Sequence, residues 1–184
     1  MKNKKSFINR IYREKDIKKI DAKINQFGVS KKFTTEYFMN FRLFTSMIVF
    51  VVLFIFADFG ALIAPVATVL WYILVGYFMI DKPLKKRERK LDNEAYYYFE
   101  VLTLALESGR NLENAIKMAC KYIDSEISSE FKETIKQVNF GKSLTESLSV
   151  MSMRIPSLTI NNIILNMEQS NLFGNSIIET MYNQ

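Results

Sequence analysis

The residue types that carry most protein chemistry are nearly missing from this chain. Its 184 residues include no histidine and a single cysteine, Cys120. A Ser-His-Asp triad, a Cys-His dyad and a histidine metal site are therefore excluded, as are an intramolecular disulfide and a four-cysteine zinc site. There is no glycine loop ending in lysine to cradle a phosphate. Asp58-Phe59-Gly60 repeats the letters of a kinase metal-binding motif, but no strand lysine or histidine-containing catalytic loop accompanies it. The expectation is a protein that is not an enzyme, with no catalytic residue, cofactor or metal. Cys120 suits a small core position.

What remains is charge, and it is segregated. Residues 1–42 carry a net +8, residues 43–80 only Asp58, residues 81–91 a net +4 and residues 92–184 a net −5. The basic excess flanks an apolar block, so no nucleic-acid partner is expected. Leu43–Ala57 and Ala61–Ile80 hold no charge at all. Twenty helical residues rise ~30 Å, about the thickness of a bilayer's hydrocarbon core. A transmembrane hairpin is expected at 41–80, with spans near 41–59 and 61–80 and Arg42 snorkelling to the headgroups. Asp58 belongs at the turn, because a charge at mid-membrane costs roughly 2.5–3.5 kcal/mol. Lys31, Lys32 and Arg42 precede the hairpin; Lys82, Lys85, Lys86, Arg87, Arg89 and Lys90 follow it. The positive-inside rule then makes the chain a multi-pass membrane protein with both ends cytoplasmic.

Residues 1–40 form a cytoplasmic basic segment, with Ile11, Ile17, Ile20, Ile24 and Phe27 at helical spacing and Lys18, Lys19 and Lys23 between them. Such a helix beside a span suits the anionic leaflet, with membrane lipids as its partner; packing on the chain's own soluble domain is the alternative. Residues 81–91 are expected as a basic linker. Beyond it, across 92–184, the apolar period stays close to 3.6: Tyr98, Leu102 and Leu106; Leu112, Ile116 and Ala119; Ile127, Phe131 and Ile135; Leu144, Leu148 and Met151; Ile160, Ile164 and Met167; Ile177, Ile178 and Met181. The fold class is therefore all-α, a membrane hairpin followed by a cytoplasmic antiparallel bundle of about six short helices.

The turns carry a shared pattern. Gly109-Arg110-Asn111-Leu112-Glu113, Gly141-Lys142-Ser143-Leu144-Thr145-Glu146 and Gly174-Asn175-Ser176-Ile177-Ile178-Glu179 each place a polar cap shortly after a glycine and an acid soon after the cap. Glycine closes one helix in the left-handed region, Asn or Ser caps the next, and Ser143 with Glu146 spells a capping box. The glycines stand 32 and 33 residues apart, a spacing that also suits a membrane-anchored helical, tetratricopeptide-like adaptor. Glu107, Glu113, Glu168 and Glu179 offer an acidic surface for a partner; the same acids also suit an ordinary solvated face.

The stretch Leu104–Ala115 with Phe140–Leu148, Arg154-Ile155-Pro156 and Glu168–Ser176 resembles the type II secretion system F domain, over roughly Tyr98 to Tyr182. A hairpin ahead of a single such domain is similar to the Tad (Flp) pilus branch, the TadB and TadC proteins. The resemblance implies a non-catalytic platform protein in the inner membrane that couples a cytoplasmic assembly ATPase to extraction of pilin or pseudopilin subunits. It also implies an oligomer, with itself or with another platform protein. Members of that branch usually continue into a second membrane hairpin, so the domain is expected to be incomplete at its C-terminal end.

Overall fold

Apolar, charge-free stretches and amphipathic stretches both become helices here, but they bury opposite faces. The computed structural model of the chain describes residues 13–29, 34–56 and 60–173. In order, the helices are α1 (Glu14–Asn25), α2 (Thr35–Phe56), α3 (Gly60–Gly76), a π-helical turn at Tyr77–Asp81, α4 (Lys82–Glu107), α5 (Leu112–Tyr122), α6 (Glu126–Asn139), α7 (Leu144–Ser152) and α8 (Leu158–Phe173). No strand occurs among the described residues, and the fold is all-α. The chain divides into two compact units: Met1–Ile24 with Lys31–Leu84, and Asn25–Ser30 with Lys85–Gln184.

In the first unit α2 packs against α3. Two helical stretches, starting at Thr35 and Ile63, are long and apolar enough to cross a membrane. Phe44 is 67% exposed, and Met47, Ile55 and Val66 also face outward, whereas the contact between the helices buries Ser46 and Ala64. Small residues let two helices approach closely where no water drives them together. The Ser46 and Thr68 hydroxyls donate to the carbonyls of Arg42 and Ala64, one turn back, so neither is left unpaired. Arg42, expected to reach for the headgroups, instead turns into the hairpin. Its Nε donates to the Tyr72 carbonyl at 2.9 Å and its guanidinium lies 3.4 Å from the centre of the Tyr72 ring. A carbonyl acceptor and a π face satisfy the cation inside the pair. Trp71, the neighbour of Tyr72, lies on the outer side.

Of the basic amino-terminal segment, α1 and the turn after it are described; Ile11 lies outside the described residues. Ile24 is buried, Lys23 pairs with Asp81 at 2.6 Å, and Thr35 donates to Asp21 at 2.6 Å, while Lys18 and Lys19 stay exposed. The segment expected as a linker at 81–91 is helical, and α4 starts at Lys82. Its charges fall at helical spacing around Leu84 and Leu91, which are buried. Pro83 has no N–H and its ring crowds the carbonyl of Met79. Directly before it the backbone widens into the π turn, where the Lys82 N–H bonds five residues back to Tyr77.

The second unit is a helical bundle. Tyr98 stacks on Phe131 with ring centres 4.6 Å apart, and around them Leu102, Ile116, Leu148 and Ile164 are fully buried. The starts of α4 and α6 meet the end of α7 through Arg87, Glu130 and Arg154, so successive helices run antiparallel and the Gly109 and Gly141 corners share the opposite end. Gly109 and Gly141 have φ of +83° and +96°. Asn111 accepts from the Asn114 N–H, and Ser143 with Glu146 closes both bonds of a capping box. At the second corner Gly141 N–H bonds to Val138 and Lys142 N–H to Gln137, the two bonds of a Schellman close. Between Ser152 and Leu158, Pro156 stands where the chain turns, and Ser157 caps α8 by accepting from Ile160 N–H. Five helices of the expected six are described; Ile177, Ile178 and Met181 lie outside the described residues.

Candidate functional site

A charged residue on the apolar stripe of an amphipathic helix must bring its own partners inside. On α6 the stripe runs Ile127, Glu130, Phe131, Thr134, and Glu130 is only 1% exposed. Its Oε1 accepts from Arg87 Nη2 at 2.8 Å and from the Val29 N–H at 2.9 Å; its Oε2 accepts from Arg154 Nε at 2.8 Å. Arg87, 8% exposed, also donates to the carbonyls of Gln26 and Arg154 and to Glu126 at 2.6 Å. One cluster thus ties α4, α6 and the end of α7 to the turn at residues 26–29. Gly28 completes it: its φ is +73°, and a Cβ there would collide with Glu130 Oε1 and Arg87 Nη2. Every carboxylate oxygen of Glu130 is held by a fixed donor. The arrangement positions backbone; it holds no free base.

The rim of the cluster is polar and open. Lys90 pairs with Glu126 at 3.0 Å and, more loosely, with Glu94 at 3.7 Å. Glu94 accepts from the Glu126 and Ile127 N–H groups, so a carboxylate already occupies the amino terminus of α6. Burial pushes the Glu126 carboxyl up, but hydrogen bonds from Lys90 and Arg87 outweigh it and hold the group below the usual carboxylate range. The same bond to Glu126, with its charge, raises Lys90. Deeper in, burial lifts the Tyr98 phenol well above its ordinary value and raises the Cys120 thiol, whose Sγ lies 3.3 Å from the Tyr98 hydroxyl. A buried thiol with a raised pKa is a poor nucleophile.

The sequence-derived partner acids fall elsewhere. Glu107 is exposed at the end of α4, beside the first corner. Glu113, just past that corner, is paired with Lys117 one turn on. Glu168 sits half-buried on α8, and burial raises its carboxyl. Glu179, Gly174 and Asn175 lie outside the described residues. Of the three tyrosines after the basic run, Tyr98 is core, while Tyr96 and Tyr97 are exposed and meet edge to face. The cluster around Glu130 was not anticipated. Its signal was present in the sequence: an acid three residues after Ile127 and directly before Phe131, on the side of the helix that should be dry.

Residues 98–183 match the family model described as type II secretion system (T2SS), protein F. No curated protein and no solved structure matches the chain. The match takes in the Tyr98–Phe131 stack, both described glycine corners, Glu126, Glu130 and Arg154. Arg87, Lys90, Glu94 and the docked turn at 26–29 precede it. Over residues 98–183, just under half of its length, the chain is thus similar to the type II secretion system protein F family.

Proposed function

We propose that this chain is a non-catalytic platform protein of a type II secretion or type IV (Tad/Flp) pilus assembly machine. It sits in the inner membrane through its hairpin with both ends in the cytoplasm. There it couples a cytoplasmic assembly ATPase to the extraction of pilin or pseudopilin subunits, as a homo-oligomer or beside another platform protein. One observation carries the proposal: a protein F domain follows, on one chain, two helices long and apolar enough to cross a membrane. The exposed corner end with Glu107 and Glu113, together with Glu168, is the proposed ATPase contact. Electrostatics of that kind speed association more than they deepen affinity.

The test is copurification of the full chain, in mild detergent, with the assembly ATPase of the same cell. The expected result is a complex that weakens when Glu107, Glu113 and Glu168 are reversed to lysine together. No complex with ATP, with ADP or without nucleotide would overturn the platform reading.

A further inference from the structure

The six cations between Lys82 and Lys90 do two different jobs. Arg87 is buried against Glu130 and Glu126, Lys90 is bonded to Glu126, and Lys82 lies over the Phe78 ring at 5.0 Å. Lys85, Lys86 and Arg89 are exposed, and none of them makes an ion pair or hydrogen bond with a described residue. At 100° per residue they fall on one side of α4, within about 100° of one another, opposite buried Leu84, Leu91 and Ala95. Three cations on one face of a helix, unpaired among the described residues, repel each other, and an anionic partner relieves that even with Glu88 and Asp92 nearby on the same helix.

Their place along the chain names the partner. The apolar run ends at Ile80, and Lys85, Lys86 and Arg89 follow by five, six and nine residues. At 1.5 Å per residue these are roughly 7–14 Å of helix. That is within the combined reach of a long cationic side chain and a Debye length of ~8–10 Å, however the helix leans. We infer that the Lys85–Lys86–Arg89 face of α4 binds the headgroups of anionic phospholipids, and so gives the hairpin a preferred lipid neighbourhood. This rests on the membrane reading proposed above.

Trp71 supplies the probe, being the chain's single tryptophan and lying on the outer side of α3. The full chain is reconstituted in phosphatidylcholine bilayers, and Trp71 fluorescence is titrated with dibrominated phosphatidylglycerol or dibrominated phosphatidylcholine. The expected result is a several-fold preference for the glycerol lipid at low salt, which fades toward 1 M salt. The combined change Lys85→Gln, Lys86→Gln and Arg89→Gln should abolish it and leave quenching by dibrominated phosphatidylcholine unchanged. Lys132→Gln, on α6, should retain it. Equal quenching by the two lipids in the wild type, or a preference that survives the triple change, would overturn the inference. If neither lipid quenches, Trp71 does not face a bilayer and the membrane reading itself fails.

Discussion

The hairpin and the bundle partition their residues in opposite senses. Between α2 and α3 the buried positions include Ser46 and Ala64, while phenylalanines and branched aliphatics face outward. In the bundle the aromatics and aliphatics turn inward, and most charges turn out. Each unit nevertheless keeps cations inside. Arg42 is answered by a carbonyl and a ring, whereas Arg87 and Arg154 are answered by carboxylates. A lone cation between apolar helices needs neutral acceptors within reach. A buried cluster in an amphipathic bundle balances its charges, because one unpaired member costs far more than the pair is worth.

The sharpest way to break this contrast is to leave the bundle's cations unanswered. Glu130→Leu leaves Arg154 without its carboxylate and Arg87 with Glu126 alone, and should cost roughly 3–5 kcal/mol. It should appear as a large drop in the unfolding midpoint of the second unit in detergent. Combining it with Arg154→Leu should cost less than the two single changes summed, since they share one interaction. Additive losses would mean that the cluster is a set of independent contacts.

Gly28 and Gly141 set the next comparison. Both have positive φ, but only Gly28 lacks room for a side chain. Gly141→Ala should therefore cost only the backbone strain, roughly 1–2 kcal/mol, against little for Lys142→Ala. Gly28→Ala adds a collision with Glu130 and Arg87, so it should cost more. It should also speed hydrogen exchange at Val29, whose N–H is bonded to Glu130. Equal losses at the two glycines would show that the turn at 26–29 moves aside freely.

How much of this was legible in sequence follows from what each signal needs. Helical period needs only local spacing, and the helices from Leu112 to Phe173 stand where the apolar faces place them. The Gly141–Ser143–Glu146 corner is equally local. The segment at 82–91 was obscured because dense charge resembles a linker, although the same charges at helical spacing leave Leu84 and Leu91 free to be buried. Glu130 was harder. Its partners come from residues 29, 87 and 154, and nothing local to α6 pairs them. Arg42 was misplaced for the same reason, since its acceptor at Tyr72 lies 30 residues away.

Acid sharpens the comparison between two carboxylates of the bundle. Glu126 is held below the usual carboxylate range, so its contribution to stability is full above the unfolded pKa and is lost as pH falls through the lower folded value. Lys90→Met should remove part of that contribution at neutral pH and leave stability unchanged once both states are protonated. A midpoint difference as large in strong acid as at pH 7 would place the effect of Lys90 in packing.

Glu168 should behave in the opposite sense, and its effect is the smallest. Burial on α8 raises its carboxyl, so the folded state binds a proton more readily than the unfolded chain. The ionised group therefore costs stability above the folded pKa, and the cost disappears as pH falls below the unfolded one. Glu168→Gln should raise the unfolding midpoint slightly at pH 7 and leave it unchanged in acid. The same variant separates stability from binding. If Glu168 contacts the ATPase, the more stable protein should bind it more weakly at neutral pH, and wild-type binding should weaken as Glu168 takes up its proton. A variant that is more stable and binds as well as the wild type would confine Glu168 to a folding cost and leave the contact to Glu107 and Glu113 at the corner end.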